Sequence, residues 1–374
     1  MRPQDSQEPT APATTSPSTG ALDALTDVRE LRVGHAQRTD DGWLTGTTVV
    51  LPAREGAVAG VDARGGAPGT RETDALDPRN LVERVHAVVL SGGSAFGLDA
   101  ASGVMSWLEE QGRGVPVGTD PSQVVPVVPA AVIFDLGRGG RWSARPDATL
   151  GRQAVEAAGG TEAGAALPQG CVGAGTGAVV GGLKGGIGTA SALLPSGAVV
   201  GALVVLNAAG SATDPATGAL WGELPGSLHH LPARSAHAEA ERRRAAAQEE
   251  TVQRSAGNLR PALNTTLMVV GTDATLTRPQ AQRLAGSAHD GLARAVRPIH
   301  LMHDGDAAFA LATCERELGQ GEFNEVLTAG AEVVGRSVAK AVRAASGFDG
   351  PGGVFPAYGD LYGGHTRGGH SEPA

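Results

Sequence analysis

The chain has 374 residues, 41% of them hydrophobic, with only 3% aromatics and 56 glycines, enough for one large domain or two ordinary ones around a sizeable core of small aliphatic side chains. A net charge of −9 argues against nucleic-acid binding, which needs a basic surface. Two cysteines, Cys171 and Cys314, are too few for a disulfide framework and fit a reducing compartment.

Residues 1–22 carry Pro, Ser and Thr and no apolar run, so they read as a disordered tail and not as a secretory signal. No stretch is long and apolar enough to span a bilayer, which leaves a cytoplasmic location as the default expectation. From Leu31 to Val50, short apolar runs alternate with Gly and Asp turns, as in hairpins, and Ala57 to Arg64 reads as another strand. His86 to Leu90 is a continuous apolar strand ended by Ser91-Gly92-Gly93-Ser94. Leu98, Ala101, Met105 and Leu108 then share one face of a helix. Ser94 fails the nucleophile-elbow pattern, because Phe96 stands at the last Gly position, and is expected to cap that helix. Val127 to Phe134 reads as a strand and Ala148 to Ala158 as a short helix.

A glycine-dense block runs from Cys171 to Thr189. A dinucleotide fingerprint there lacks both the following helix and a ribose-binding acid, so close backbone packing is the better reading. Ala198 to Leu206 is a buried strand. Leu231 to Ser255 is rich in Ala, Glu and Arg, an exposed helix or a mobile linker. Thr265 to Val270 resumes the strand pattern. Leu284, Ala288 and Leu292 mark a helix with Pro279 near its first turn, and Phe323, Leu327, Val334, Val338 and Ala341 mark a second. The tail after Gly350 is rich in Gly and His, and His365 and His370 there read as idle. The mixture is not a regular βαβ alternation, so a layered fold with antiparallel sheets between helices is expected.

The chemistry centres on Asn264-Thr265-Thr266, where a polar segment enters a buried strand. A cut before Thr265 would leave a Thr with both a hydroxyl and a free α-amine. An α-amine of pKa about 7.7–8.0 serves as a general base near neutral pH. The same hydroxyl can make the cut, by attack on the Asn264 carbonyl, an N-to-O acyl shift and ester hydrolysis. An Asn-Thr pair on its own carries no weight as a signal.

Longer motifs give it weight. Val33-Gly34-His35, Ser91-Gly92-Gly93-Ser94-Ala95-Phe96-Gly97-Leu98-Asp99-Ala100, Val128-Pro129-Ala130-Ala131-Val132-Ile133-Phe134-Asp135-Leu136, Gly182-Leu183-Lys184-Gly185-Gly186-Ile187-Gly188-Thr189 and Asp304-Gly305-Asp306 occur in this order. The chain resembles the family of self-processing aminopeptidases and D-amidase/esterases that includes the β-peptidyl aminopeptidases, from about Leu31 to about Ala345. Its Asn–Thr junction and paired aspartates look most like the branch that hydrolyses 6-aminohexanoate (nylon) oligomers.

The resemblance implies an α+β fold, an αββα sandwich of the N-terminal-nucleophile-hydrolase type, self-cleaved into two associated chains. The large chain would be 23–264, with 231–258 as the linker before the cut. The small chain would be 265–350 and the flexible tail 351–374. It implies a homo-oligomer, often a tetramer, no cofactor, and an amide substrate, small or oligomeric, such as 6-aminohexanoate oligomers, short peptides or amino-acid amides. Carried over by position, Thr265 is the nucleophile, Lys184 a cation beside it, and Asn207 an oxyanion donor. Asp304 and Asp306 orient the Lys184 ammonium or the Thr265 amine. Trp142 lies where that branch carries a pocket-lining tyrosine. Asp304 and Asp306 alone offer too few oxygens for a metal site, so none is expected. Two other readings stay open: an acyltransferase like the ornithine acetyltransferases, and an unprocessed member without activity.

Overall fold

In the computed structural model, residues 17–223, 231–254 and 263–363 are described. The chain begins with β1 (Ser18–Thr19), β2 (Arg32–Arg38), β3 (Thr45–Leu51), β4 (Ala57–Ala63), β5 (Thr70–Arg71), β6 (Arg84–Val85) and β7 (Val88–Ser91). Then come α1 (Ala100–Glu110), β8 (Val115–Pro116), β9 (Val124–Val125), β10 (Ala130–Val132) and α2 (Ala148–Gly160). The glycine-rich block holds β11 (Val179–Val180), β12 (Leu183–Lys184) and the first half of β13 (Gly186–Leu193). They are followed by β14 (Val199–Leu206) and α3 (Arg234–Arg254). Beyond the Asn264–Thr265 junction lie β15 (Leu267–Ala274), α4 (Arg278–Ala295), β16 (Ala307–Arg316), α5 (Glu322–Ala344), β17 (Phe348–Gly350), β18 (Gly353–Phe355) and α6 (Tyr358–Tyr362).

One sheet has the order β1-β13-β14-β15-β16-β4-β6 and the other β2-β3-β7-β10-β5. Strand alternation builds the layers. In β15, Leu267 and Val269 face the second sheet across a core shared with Val33, Leu90, Leu203 and Phe309. Met268 and Val270 face the other way, onto Leu284 and Leu292 of α4 and Val334 of α5. On the outer side of the second sheet, Val49 and Val89 pack on Val104 and Leu108 of α1 and Val155 of α2. The result is the expected αββα sandwich. Both sheets are apolar on both faces because each lies between a helix layer and the other sheet. Thr277 caps α4 by accepting from the Gln280 N–H, and Pro at the start of that helix needs no donor. Close packing explains the glycine-rich block: a Cβ on Gly188 would stand 1.9 Å from the Ser337 carbonyl of α5.

Several local expectations change. Ser94 caps nothing. It opens a 3-10 turn behind Gly93 with φ 52°, and no side chain caps α1. The strand expected over Val127 to Phe134 shortens to β10, since Pro126 and Pro129 lack the N–H that a ladder needs. The stretch expected as exposed helix or mobile linker is helical, and only Ala240 and Ala247 of α3 are buried. Ser18 and Thr19, placed in a disordered tail, pair with Leu193 and Ala192 of β13. The flexible tail expected over 351–374 contains β18 and α6, with the Tyr358 hydroxyl donating to the Gly218 carbonyl at 3.0 Å. His365 and His370 lie outside the described residues. Among the described residues no helix is long and apolar enough to cross a membrane.

Candidate active site

The pairing of four strands brings the candidate residues to one end of the large sheet. β13 and β14 are antiparallel with Gly186 opposite Leu206, β14 and β15 are antiparallel with Val205 opposite Leu267, and β15 and β16 are parallel with Leu267 opposite Ala307. Hence the start of β13, the end of β14 and the starts of β15 and β16 coincide. Lys184, Asn207, the Asn264–Thr265 junction and Asp304-Gly305-Asp306 all lie within three residues of those strand ends.

The chain is continuous through the junction. Thr265 is buried, and its N–H donates to the Asn207 carbonyl at 2.7 Å. Its hydroxyl donates to the Asn264 carbonyl at 2.6 Å, and the Gly305 N–H donates to that same oxygen at 3.0 Å. The Asn264 N–H donates to the His303 carbonyl at 3.4 Å, as part of a parallel bridge between Asn264 and Asp304. The bond before Thr265 is thus clamped on both sides, with its carbonyl oxygen polarised by two donors.

Asp306 holds the next residue. One carboxylate oxygen accepts from the Thr266 N–H at 2.7 Å, and the other from the His300 backbone N–H at 3.2 Å and His300 Nδ1 at 2.9 Å. His289 stands edge-on behind His300, with ring centroids 4.8 Å apart, and its Nε2 donates to the Asp62 carbonyl at 3.0 Å. Asp304 is buried and accepts from the Leu301 N–H at 3.2 Å. Burial and the neighbouring Asp306 charge push its carboxyl above the usual range.

Lys184 does not join the aspartates. Its ammonium donates to the Thr176 and Ala178 carbonyls at 2.8 and 3.0 Å, with the Gly175 and Gly185 carbonyls at 3.5 Å. Burial draws its pKa below the ordinary lysine range, with Arg138 adding to that effect and Asp135 opposing it. The single charge cluster expected of Lys184, Asp304 and Asp306 is therefore divided in two. The backbone turn around the glycine-rich block turns its carbonyls inward, and the ammonium satisfies them.

Arg138 was not singled out in the sequence, and it is the cation that reaches the junction. Its guanidinium donates to the Gly177 carbonyl at 2.7 Å, to Asn207 Oδ1, and to Asn264 Oδ1 at 3.1 Å. Burial lowers its pKa to about 10, and the Asp135 charge works against that. It stays charged at neutral pH. Asp135, at the end of the Val128–Leu136 motif, is held by the Gly93 N–H at 2.7 Å, so two of the long motifs brace this arginine. The side chain of Asn207 is occupied accordingly. Oδ1 also accepts from the Val179 N–H at 3.1 Å, and Nδ2 donates to the Phe134 carbonyl at 3.4 Å. The donors on the junction carbonyl are the Thr265 hydroxyl and the Gly305 amide, and the side-chain N–H of Asn207, expected as an oxyanion donor, is on the Phe134 carbonyl. Trp142 is exposed and stands edge-on to Phe134, with ring centroids 6.4 Å apart. Among the described residues no group of His, Cys, Asp and Glu could hold a metal ion.

The profile of Peptidase family S58 matches residues 23–355. An uncharacterized aminopeptidase of Mycobacterium bovis is 50% identical over 301 residues, covering 78% of this chain and 82% of that protein. A 6-aminohexanoate-oligomer endohydrolase of a Kocuria species is 30% identical over 307 residues, covering 80% and 78%. Two solved structures share the fold. A Burkholderia β-aminopeptidase superposes with a TM-score of 0.68 at 22% identity over 93% of this chain and 94% of that one. The L-aminopeptidase D-Ala-esterase/amidase of Ochrobactrum anthropi, described as a variant of the Ntn-hydrolase fold, gives 0.68 at 20% over 92% and 93%. Since the profile spans nearly all of the sandwich and its junction, the chain belongs to peptidase family S58 and is a hydrolase of peptide or amide bonds.

Proposed function

We propose that the protein cuts itself between Asn264 and Thr265 and then hydrolyses linear amides with Thr265 as nucleophile. One observation carries this reading: the Thr265 hydroxyl is 2.6 Å from the Asn264 carbonyl oxygen, which the Gly305 N–H also meets. Attack by Oγ1 on the Asn264 carbonyl carbon builds negative charge on that oxygen, where a fixed backbone donor is worth about 2.7–4 kcal/mol. Collapse breaks the C–N bond, leaving an ester on Oγ1 and an amine on Thr265. Water then hydrolyses the ester, giving a carboxylate on Asn264 and restoring the hydroxyl.

In turnover the new amine accepts the hydroxyl proton as Oγ1 attacks the substrate amide and passes it to the leaving amine, and water then hydrolyses the ester on Oγ1, releasing the acid and restoring the hydroxyl. The Asn207 carbonyl, already the acceptor of the Thr265 N–H, orients that amine. Asp306 fixes the strand behind it through Thr266. Trp142 belongs to the outer rim, and Lys184 supports the turn that carries Arg138's acceptor. The substrates include short peptides, amino-acid amides and 6-aminohexanoate oligomers. The homologous aminopeptidases and nylon-oligomer hydrolases support that range. Assembly of processed pairs into a homo-oligomer is part of the proposal and is read by light scattering. The direct test is intact-mass measurement of the wild type and Thr265→Ala. Two fragments from the first and one full-length chain from the second are expected, and efficient cutting of the variant would exclude Thr265.

A further inference from the structure

We propose that Arg138 determines acyl-side specificity, and that the enzyme prefers substrates whose acyl residue carries a side-chain carbonyl at the reach of asparagine. This rests on the reading of Thr265 as nucleophile for both self-cleavage and turnover. Both reactions pass through an ester on the same Thr265 oxygen, so the acyl residue of that ester lies in one pocket in both. In the uncut chain that residue is Asn264, and its contacts are a template for the substrate.

Three of its contacts could be remade by a substrate. The Asn264 N–H is on the His303 carbonyl, where a substrate's amino nitrogen would lie. The carbonyl oxygen is on the Gly305 N–H, where the reacting carbonyl would lie. The side-chain oxygen is on Arg138, at 3.1 Å. The first two contacts are made by backbone and would serve any amino-acid amide. The third reads a side chain.

Arg138 cannot turn away from an unsuitable substrate. Its other nitrogen is held by the Gly177 carbonyl and Asn207 Oδ1, and the group is buried beneath Asp135 and the glycine-rich turn. Once Asn264 has left, the Nη2 donor faces the position of the incoming side chain. A substrate with an amide oxygen there restores the bond. Leucine has nearly the shape of asparagine and no acceptor, so it leaves a buried charged donor unpaired. A site built to bond a polar group discriminates strongly against an analogue that lacks it. The self-cleavage sequence therefore records the preference of the mature pocket.

The test compares L-asparaginyl- and L-leucyl-p-nitroanilide with processed wild-type enzyme. The asparaginyl substrate should have the higher kcat/KM by about tenfold or more. In Arg138→Met that ratio should fall to about one. A wild-type ratio at or below one overturns the proposal whatever the variants do. Should Arg138→Met fail to fold, the precursor variants Asn264→Leu and Asn264→Gln give the second measurement. Self-cleavage should slow more in the first than in the second, and equal rates overturn the proposal. Thr265→Ala separates this inference from the reading beneath it. If that variant still releases p-nitroaniline, the nucleophile is wrong. If it is inactive and the wild type shows no asparaginyl preference, only the role of Arg138 is wrong.

Discussion

Gly305 lies so close to the Thr265 hydroxyl that a Cβ on the glycine would stand 2.6 Å from Oγ1 and 2.7 Å from the Ala67 carbonyl. The same residue donates its N–H to the Asn264 carbonyl. Gly305→Ala should therefore push the Asp304–Asp306 loop off the Ala67 carbonyl and misplace both hydroxyl and donor, with far-UV circular dichroism checking that the variant is folded. Self-cleavage should slow by about a hundredfold, the scale of losing one oxyanion donor. A time course of intact mass reads it, and cleavage at the wild-type rate would remove Gly305 from the machinery.

Self-cleavage itself predicts fragments of roughly 26 and 11 kDa, in proportion to residues 1–264 and 265–374 of the 37.5 kDa chain. They should co-elute under native conditions, because β15 lies between β14 and β16 at the centre of the large sheet. Thr265→Ser should still cut, having kept the hydroxyl, and activity should survive EDTA. Separation of the fragments on a native column would contradict the sandwich as the holder of both chains.

His300 positions Asp306 with two donors and does so from a left-handed backbone, φ 60°. Asparagine tolerates that conformation and offers a side-chain N–H, whereas alanine offers none. His300→Ala should lower kcat roughly tenfold to a hundredfold with little change in KM. His300→Asn should recover most of it. Equal loss in both variants would mean that the imidazole does more than anchor the carboxylate.

Lys184→Met should act on stability first. It removes the donor from the Thr176 and Ala178 carbonyls, which lie in a buried turn. A cost of about 1–3 kcal/mol per unsatisfied group is expected, seen as a lower Tm. An unchanged Tm with a shifted acid limb of the rate profile would instead put Lys184 beside the Thr265 amine.

Two histidines predict a pH window for stability. Burial lowers both His35 and His86 to about 4, and the Arg113 charge adds to the shift at His86. In the unfolded chain they titrate near 6.5. Between those values the unfolded chain binds more protons, so stability rises with pH across the window. The contribution is complete above 6.5 and is lost as pH falls through about 4. His86→Gln keeps an acceptor for the Val127 N–H, which His86 Nδ1 now meets at 3.1 Å, and removes one titration. Its Tm should fall less steeply between pH 6.5 and 4 than that of the wild type. Parallel curves would place the acid sensitivity elsewhere.

The residue pattern predicted a layered fold of sheets between helices, and the resemblance carried by the longer motifs drew attention to the Asn264–Thr265 junction. The unbroken apolar run Leu267-Met268-Val269-Val270 already required a strand buried on both faces, and the spacing of Leu284, Ala288 and Leu292 required the helix that covers one of them. A polar segment meeting that strand at Asn264-Thr265 was visible for the same reason. Side-chain periodicity is a local property, and the motifs in order across the chain supplied the family. Local pattern also misjudged Ser94, where a left-handed turn took the place of a cap, and the ends of the chain, where β1 and β18 form through pairing with distant or neighbouring strands. Only the tertiary structure decided which groups touch the Asn264–Thr265 bond. Arg138 and Asn264 are 126 positions apart, and Arg138 sits between glycines in a loop with no period to reveal it. The Gly305 N–H has no side-chain signature at all. Both reach the junction because β15 and β16 run parallel at the centre of the sheet while the Asp135–Arg138 loop closes over their starting end. Such a convergence depends on strand order, and no stretch of sequence shorter than the whole sandwich encodes it.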